Sequence, residues 1–566
     1  MVKKSRAKSI FSSIMIATML IVSVPFNAKA EQAAAVLEPV NYRLTDTLTV
    51  QVKSILNEAG YNGTRIGAVV ELYNNGTRSI RTPDYALEMR TASGAEYVLQ
   101  PSSANAGFIQ PKEQVELSYM LTVKRKDDIS LSTLSWVKFN KSVYPKQAIP
   151  VLTLPIASLQ SPKVTKMWGE PFTIPVLSSA LEFTPAYLFV QNTSEGPATM
   201  VVLQVQNKSS KKQWLPDFTI DGKSNQTTYK GQRTEQGPIM LEPGEKKYIH
   251  YAIRTDDAVT LWSLSVRTPE SFAADSQTSI NYTVARINIQ IPVDPRILDI
   301  TNRPIPYGWN KPIRFNALNR LVPSMVNVSL EGLNLYQGDG FKVVVASFKL
   351  QNQSGQPVAV PDFQAELKSG HDDSSYIGIR QSFEEKILIP HINYAVEYYF
   401  IVPDQETGDE LTMKLLDGKT ASPFYIPIAA FQTQVGDQTD DGSLSFYPFN
   451  VNINSGGILT YYNSSQGPDQ MPWINKLILN LDIRHRDVVV PNQGLSKMEV
   501  ELTDKTGGII GSQSFSFTGT DRLSSGSRTI IMKSDASPAS SFVVHIYETI
   551  DTMFGEAKRL VKTMQY

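Results

Sequence analysis

The sequence predicts an all-β protein, a tandem array of about four β-sandwich modules, three clearly repeated and one divergent. Three observations carry this prediction. An asparagine that ends an apolar run is followed nine residues later by Pro-Asp-aromatic, and this happens three times: Asn74 with Pro83-Asp84-Tyr85, Asn207 with Pro216-Asp217-Phe218, and Asn352 with Pro361-Asp362-Phe363. A second proline follows after 27 to 29 residues (Pro111, Pro243, Pro390), and eight residues beyond each stands a tyrosine: Tyr119, Tyr251 and Tyr398. A fixed period of this kind marks one folding unit copied in tandem. The runs around these marks alternate with period two, as in Val201, Leu203, Val205 and in Phe218, Ile220, which is the half-buried strand signal. Finally, 34 prolines and 33 glycines punctuate short runs, and no sustained helical periodicity appears beyond residue 30.

Residues 1–30 read as a secretory signal peptide. Lys3, Lys4, Arg6 and Lys8 precede an apolar core from Ile10 to Val24, and Ala28-Lys29-Ala30 supplies a small-x-small cleavage site. The expected mature chain carries 49 basic and 54 acidic residues. That mild acidity argues against nucleic-acid binding, which needs clustered positive charge. No later segment is apolar enough to span a bilayer after signal cleavage. The absence of cysteine excludes a disulfide framework, a thiolate metal site and a cysteine nucleophile. The expected location is secreted or extracellular, with noncovalent attachment to the cell envelope left open.

The modules follow in order. The first spans 31–160, the second 161–295, the third 296–433, and a linker with a divergent fourth module 434–566. Each Asn-centred segment supplies a turn that tolerates left-handed backbone, and each Pro before Asp belongs at a strand start or edge. A second recurring mark, Trp168 with Pro171 and Trp309 with Pro312, suggests stiff module junctions. The clearest soft linker is 435–443. Beyond it, strands are expected at 477–483, 497–502, 512–517, 529–532 and 541–547, with a hairpin tip at 504–508. Pro491-Asn492 reads as a decayed echo of the Pro-Asp mark.

Candidate chemistry is sparse. The five histidines (His250, His371, His391, His485, His545) scatter without metal-ligand spacing. Ser209-x-x-Lys212 and Lys505-Thr506-Gly507 occur in the order of a penicilloyl-serine enzyme, but the serine falls in a turn where that chemistry needs a helix start. Asp437, Asp441 and Gly442 match calcium-loop positions one, five and six, while Thr439 and Pro448 break positions three and twelve. The acidic pairs Asp127-Asp128, Asp256-Asp257 and Asp372-Asp373 fall in turns and could hold calcium between modules. Tyr461, Tyr462 and Trp473 are the candidate ligand-binding aromatics, placed in a loop-rich stretch where they could stack on sugar, with core filling as the alternative.

The run of apolar strand, Asn turn, Asp-Phe, Pro-Gly-Glu and Tyr-x-Ile resembles the immunoglobulin-like, telokin-like modules of exported Gram-positive bacterial proteins. The second module matches best, through Asn207, Asp217-Phe218, Pro243-Gly244-Glu245 and Tyr251; the first and third put Lys112 and His391 at the glycine position. The resemblance implies an extracellular sandwich at a bacterial surface and no shared catalytic residue. The expectation is a noncatalytic structural or adhesive protein that binds a cell-wall or extracellular polysaccharide or protein. Alternatives are a carbohydrate-binding accessory protein for an exported enzyme, or an inhibitor or assembly factor for exported proteins.

Overall fold

The computed structural model describes residues 41–566 except 61–62, 125–128, 141–146, 157–163, 175–176, 225–226, 257–258, 276, 373, 437–441, 464–472, 487, 491–494 and 535–540. The expected signal peptide, Asp127-Asp128, Asp257, Asp373, most of the calcium-like loop and the Pro491-Asn492 echo lie outside the described residues. Strands carry the fold, and nearly all of their pairings are antiparallel.

The chain forms two compact units. One comprises residues up to Ser161 together with Phe272–Ile280, and the other Pro162–Ser271 with Asn281–Tyr566. The first unit is built on an eight-stranded sheet that includes the long hairpin of Leu48–Gly60 with Gly63–Asn74 near one edge. Its core gathers Val50, Ile66, Val70, Leu117, Leu134 and Trp136.

The second unit holds three further apolar cores. In 164–290 two five-stranded sheets face each other, one containing Ser178–Thr193, Gly196–Asn207 and Lys246–Arg254, the other Ser263–Ala273 and Ser279–Gln290. They enclose Phe183, Val201, Leu203, Tyr251 and Leu264. In 305–433 a five-stranded sheet with Gln364–Ser369 and Leu411–Asp417 covers one side of a core around Phe348, Phe363 and Tyr398. The other side is half of a nine-stranded sheet that does not stop at the expected boundary. Strand Val326–Gly338 pairs with Gly555–Gln565, through Gln337 with Lys558 and Gly338 with Ala557, so this sheet also roofs the last core.

Within the second unit the successive regions are joined by packing. Phe189, Met200 and Val202 meet Leu318, Phe424 and Ile426 in one apolar cluster. Tyr336, Val343, Val345 and Tyr399 meet Ile550 and Ala557 in another. The second joint also buries charge. Glu548 Oε2 accepts from Tyr336 OH (2.8 Å) and Arg559 Nε (2.6 Å), and Arg559 Nη2 reaches the Ser445 carbonyl (2.8 Å). Beside them, Glu397 is buried and accepts from Ser347 Oγ (3.3 Å). Burial, then the Glu548 charge, pushes its carboxyl up to about 7.

The marks expected at module junctions fall inside the region that follows each of them. Val164–Met167 runs parallel to Ser279–Gln290, and Ile305–Pro306 parallel to Ile426–Thr433. The chain then turns at Gly169 (φ 84°) or Asn310 (φ 61°), both left-handed. Trp168 and Trp309 pack on the cores of their own regions.

Candidate functional site

The recurring residues meet in three hydrogen-bonded clamps. Asn74, Asn207 and Asn352 are each 0% exposed. Asn207 Nδ2 donates to the carbonyls of Lys211 (2.7 Å), Leu241 (3.1 Å) and Glu242 (3.1 Å), and its Oδ1 accepts from Ser209 N (3.0 Å). Asn74 repeats this with Arg78, Ile109, Gln110 and Gly76, and Asn352 with Gln356, Leu388 and Ser354. Each asparagine carbonyl also accepts from the residue after the second proline: Lys112, Gly244 or His391. One buried amide therefore ties two turns that are 34 to 36 residues apart. The residue after the proline is left-handed in all three, at φ 61°, 75° and 62° for Lys112, Gly244 and His391.

The Pro-Asp-aromatic and tyrosine marks form a second constellation. Tyr251 OH donates to the Phe218 carbonyl (3.4 Å), and Tyr398 OH to that of Phe363. The two pairs of rings lie 5.4 and 5.6 Å apart. Burial raises the phenols of Tyr251 and Tyr398 above the ordinary range and pushes Tyr119 up to about 12. Asp362 pairs with Arg380 at 3.0 Å and Asp217 approaches Arg233 at 3.9 Å, each arginine lying directly across from its tyrosine. Pro83 and Asp84 lead into strand Ala86–Thr91, and Pro216 and Pro361 hold the matching places before their strands. Tyr251, Tyr398, Asp217 and Asp362 thus engage nearby backbone carbonyls and arginines, which is scaffold chemistry.

The aromatic trio lies on paired strands, where a loop-rich stretch was expected. Tyr461 and Tyr462 end strand Phe449–Tyr462, and Trp473 opens Trp473–His485. Tyr462 and Trp473 are cross-strand partners with ring centroids 5.1 Å apart and planes inclined by 70°. Tyr461, its side chain on the opposite face because neighbours alternate, lies under Lys476 Nζ at 5.1 Å. The three rings therefore form no single flat platform.

The enzyme-like matches do not assemble. Ser209 Oγ donates to Asn207 Oδ1 (2.8 Å) within its turn, Lys212 pairs with Glu242 (2.7 Å), and Thr506 binds back to Asp504. His250 is buried with Nδ1 2.7 Å from Glu235, His485 packs on Phe449, and His545 lies beside Thr563. Among the described residues no three His, Asp or Glu side chains are placed to hold a metal.

A cleft of about 950 Å³ within the second unit went unread in the sequence. Its floor is the outer face of Gln364–Ser369 and Leu411–Asp417, presenting Gln364, Glu366, Lys368 and Lys414. One wall is the hairpin tip 190–195, and Tyr425 and Ile377 stand on the rim. Gln191 Oε1 accepts from Tyr425 N (3.0 Å), which fixes the rim against the wall. Lys414 pairs with Glu366 (3.6 Å), Ser375 Oγ donates to Glu366 (3.2 Å), and Arg254 pairs with Glu195. These residues come from stretches some 230 positions apart in the sequence, so no local motif could announce them.

Comparison with known proteins finds no family model that matches this chain, and no curated protein matches it either.

Proposed function

We propose that the chain is an exported, noncatalytic protein of about four immunoglobulin-like β-sandwich modules that binds a cell-envelope or extracellular polymer or protein. The carrying observation is the use made of the recurring polar residues. Asn74, Asn207 and Asn352 each spend their amide on backbone groups of two turns, and the aspartates and tyrosines brace the same hairpins. Repetition of a scaffold, with sequence variation left to its surfaces, suits multivalent attachment, in which linked weak sites gain effective concentration. The leader-like segment at 1–30 supports export, and the lack of clustered positive charge fits a partner other than nucleic acid.

The polar cleft favours one alternative in particular, a carbohydrate-binding accessory role. The test of the main proposal is cosedimentation of residues 31–566 with purified bacterial cell walls, followed by salt and polysaccharide washes. Retention in the pellet with release by a defined wash is the expected result. Recovery of all the protein in the supernatant would sink wall binding and turn the search to a secreted protein partner.

A further inference from the structure

We propose that the cleft between the 190–195 hairpin tip and the 364–369 and 411–417 strands binds a neutral oligosaccharide chain. This rests on the reading of the chain as a noncatalytic binding protein and names one site and one ligand class for it.

Charge comes first. The lining carries three cationic side chains (Arg254, Lys368, Lys414) and three anionic ones (Glu195, Asp299, Glu366). Arg254 is paired with Glu195 and Lys414 with Glu366, while Asp299 Oδ1 accepts from its own turn, at Thr301 N (2.8 Å) and Thr301 Oγ1 (2.7 Å). A lining with equal numbers of cations and anions, two of the three cations paired within it, has no net charge to draw a phosphate or polyanion. It still offers many fixed donors and acceptors, which suits a ligand rich in hydroxyls and without charge.

Geometry narrows the choice. The floor is a pleated sheet face, so side chains at alternate positions (Gln364, Glu366, Lys368) stand in a row along the cleft. The Gln364 amide nitrogen is tied to the Gly378 carbonyl and to Ala365 O (3.2 Å), which turns its oxygen into the predetermined acceptor. Tyr425 is 40% exposed on the rim, an aromatic face for a sugar ring. Its position is set from two sides. Gln191 holds its backbone N–H, and Gly418 makes room for its ring, since a Cβ there would come within 2.7 Å of the Tyr425 ring. A rigid aromatic beside a row of pre-oriented polar groups is how a weak, extended ligand gains affinity without paying for reorganisation.

The experiment is native affinity electrophoresis of residues 31–566 through gels containing one neutral polysaccharide each: mixed-linkage β-glucan, xylan, galactomannan, glycogen or glycol chitin. The expected result is retardation by at least one of them, weakened roughly tenfold by Tyr425→Ala and by Gln364→Ala, and unchanged by Tyr461→Ala on the distant strand. Thermal melting of each variant reports whether it is folded. Gln364→Ala, at a surface position, keeps the test valid if Tyr425→Ala destabilises the joint. No retardation of the wild type in any gel overturns the proposal, as does retardation that both cleft variants retain in full. Wall cosedimentation of Gln364→Ala separates the two readings. Retained wall binding with lost gel retardation keeps both. Wall binding without any gel retardation leaves the general function standing and removes the cleft.

Discussion

Two hairpins of the second unit, Ser178–Thr193 with Gly196–Asn207 and Phe449–Tyr462 with Trp473–His485, share a backbone and differ in chemistry. In the first, Leu181 faces Asn207 and the register slips at Ala186, five residues on. In the other, Phe449 faces His485 and the register slips at Asn454, again five residues on. The same slip occurs at Lys53 opposite the Asn74 strand and at Glu331 opposite the Asn352 strand. Yet His485 is exposed and packs at a tilt against Phe449, where the three asparagines are sealed in and bonded to two turns. The bulge belongs to the geometry of a strongly twisted hairpin and survives changes of side chain. The clamp is chemistry laid on top of it. The last region instead lends strand Gly555–Gln565 to the sheet of Val326–Gly338.

The sharpest way to test this comparison is to remove the clamps. Asn207→Ala removes one donor from the carbonyls of Lys211, Leu241 and Glu242 and the acceptor of Ser209 N; the Lys211 carbonyl keeps Ser209 Oγ (2.9 Å) and the Glu242 carbonyl keeps Glu245 N (3.0 Å). The expected loss is about 2 kcal/mol, since the Leu241 carbonyl and Ser209 N lose their side-chain partner at about 1 kcal/mol each. Asn352→Ala should behave alike, and His485→Ala should change stability by less than about 1 kcal/mol. Urea unfolding measures all three. Equal effects at 207 and 485 would show that the clamp adds nothing to the bulged hairpin.

A second contrast lies between the two joints of the larger unit. The joint of Met200 and Val202 with Phe424 and Ile426 is an apolar cluster. The joint at Tyr336 and Ile550 has the Glu397 and Glu548 carboxylates beside it, with Arg559 on Glu548. Glu397 titrates near 7 when folded and near its ordinary 4.5 when exposed. Between those values the folded chain binds a proton that the unfolded chain releases, so stability falls as pH rises from 4.5 through 7 and then levels off. The full shift corresponds to at most about 3 kcal/mol. Glu397→Gln should flatten the profile and leave the chain more stable than wild type at pH 8. A denaturant series across pH decides it; an unchanged slope in the variant would place the proton elsewhere.

The clamps themselves differ at one backbone position. Gly244 takes its left-handed φ without strain, while Lys112 and His391 take nearly the same φ with a Cβ. Lys112→Gly and His391→Gly should therefore stabilise by about 0.5 to 1 kcal/mol, the relief of strain exceeding the entropy glycine adds to the unfolded chain. Gly244→Ala should destabilise by about 1 kcal/mol. Opposite signs at matched sites, read from unfolding midpoints, would show that one turn serves all three clamps.

What the sequence made legible was local and repeated. The Asn, Pro-Asp-aromatic and Tyr spacings read as turns and core strands; in the structure the asparagines end strands and tie turns 34 to 36 residues apart, and the left-handed residue expected in the Asn turns stands after the second proline instead. Gly555–Gln565 was missed because a bulge at Val561 breaks its alternation, so a charged, irregular run hides the strand that extends the nine-stranded sheet. The cleft was invisible for a different reason. Tyr425, Gln191 and Gln364 come together only through the packing of Met200 and Val202 on Phe424 and Ile426, and no spacing in the chain encodes that.

The smallest expected effect concerns the aspartates of the Pro-Asp marks. Asp362 is 58% exposed and meets both Arg380 (3.0 Å) and Lys419 (3.1 Å), whereas Asp217 is 89% exposed and only 3.9 Å from Arg233. Solvent screens both, so neither pair should exceed about 1 kcal/mol, and the Asp217 pair should be near zero. Arg380 does more than pair. It also donates to the Pro361 carbonyl (3.1 Å) and lies 5.9 Å from the centres of the Phe363 and Tyr398 rings. Those contacts do not depend on Asp362, so Asp362→Asn should cost less than Arg380→Ala, with the difference insensitive to salt. If raising the ionic strength erased that difference, the arginine would be acting through its charge on Asp362 alone, and its contact with the Phe363 and Tyr398 rings would contribute nothing to the fold.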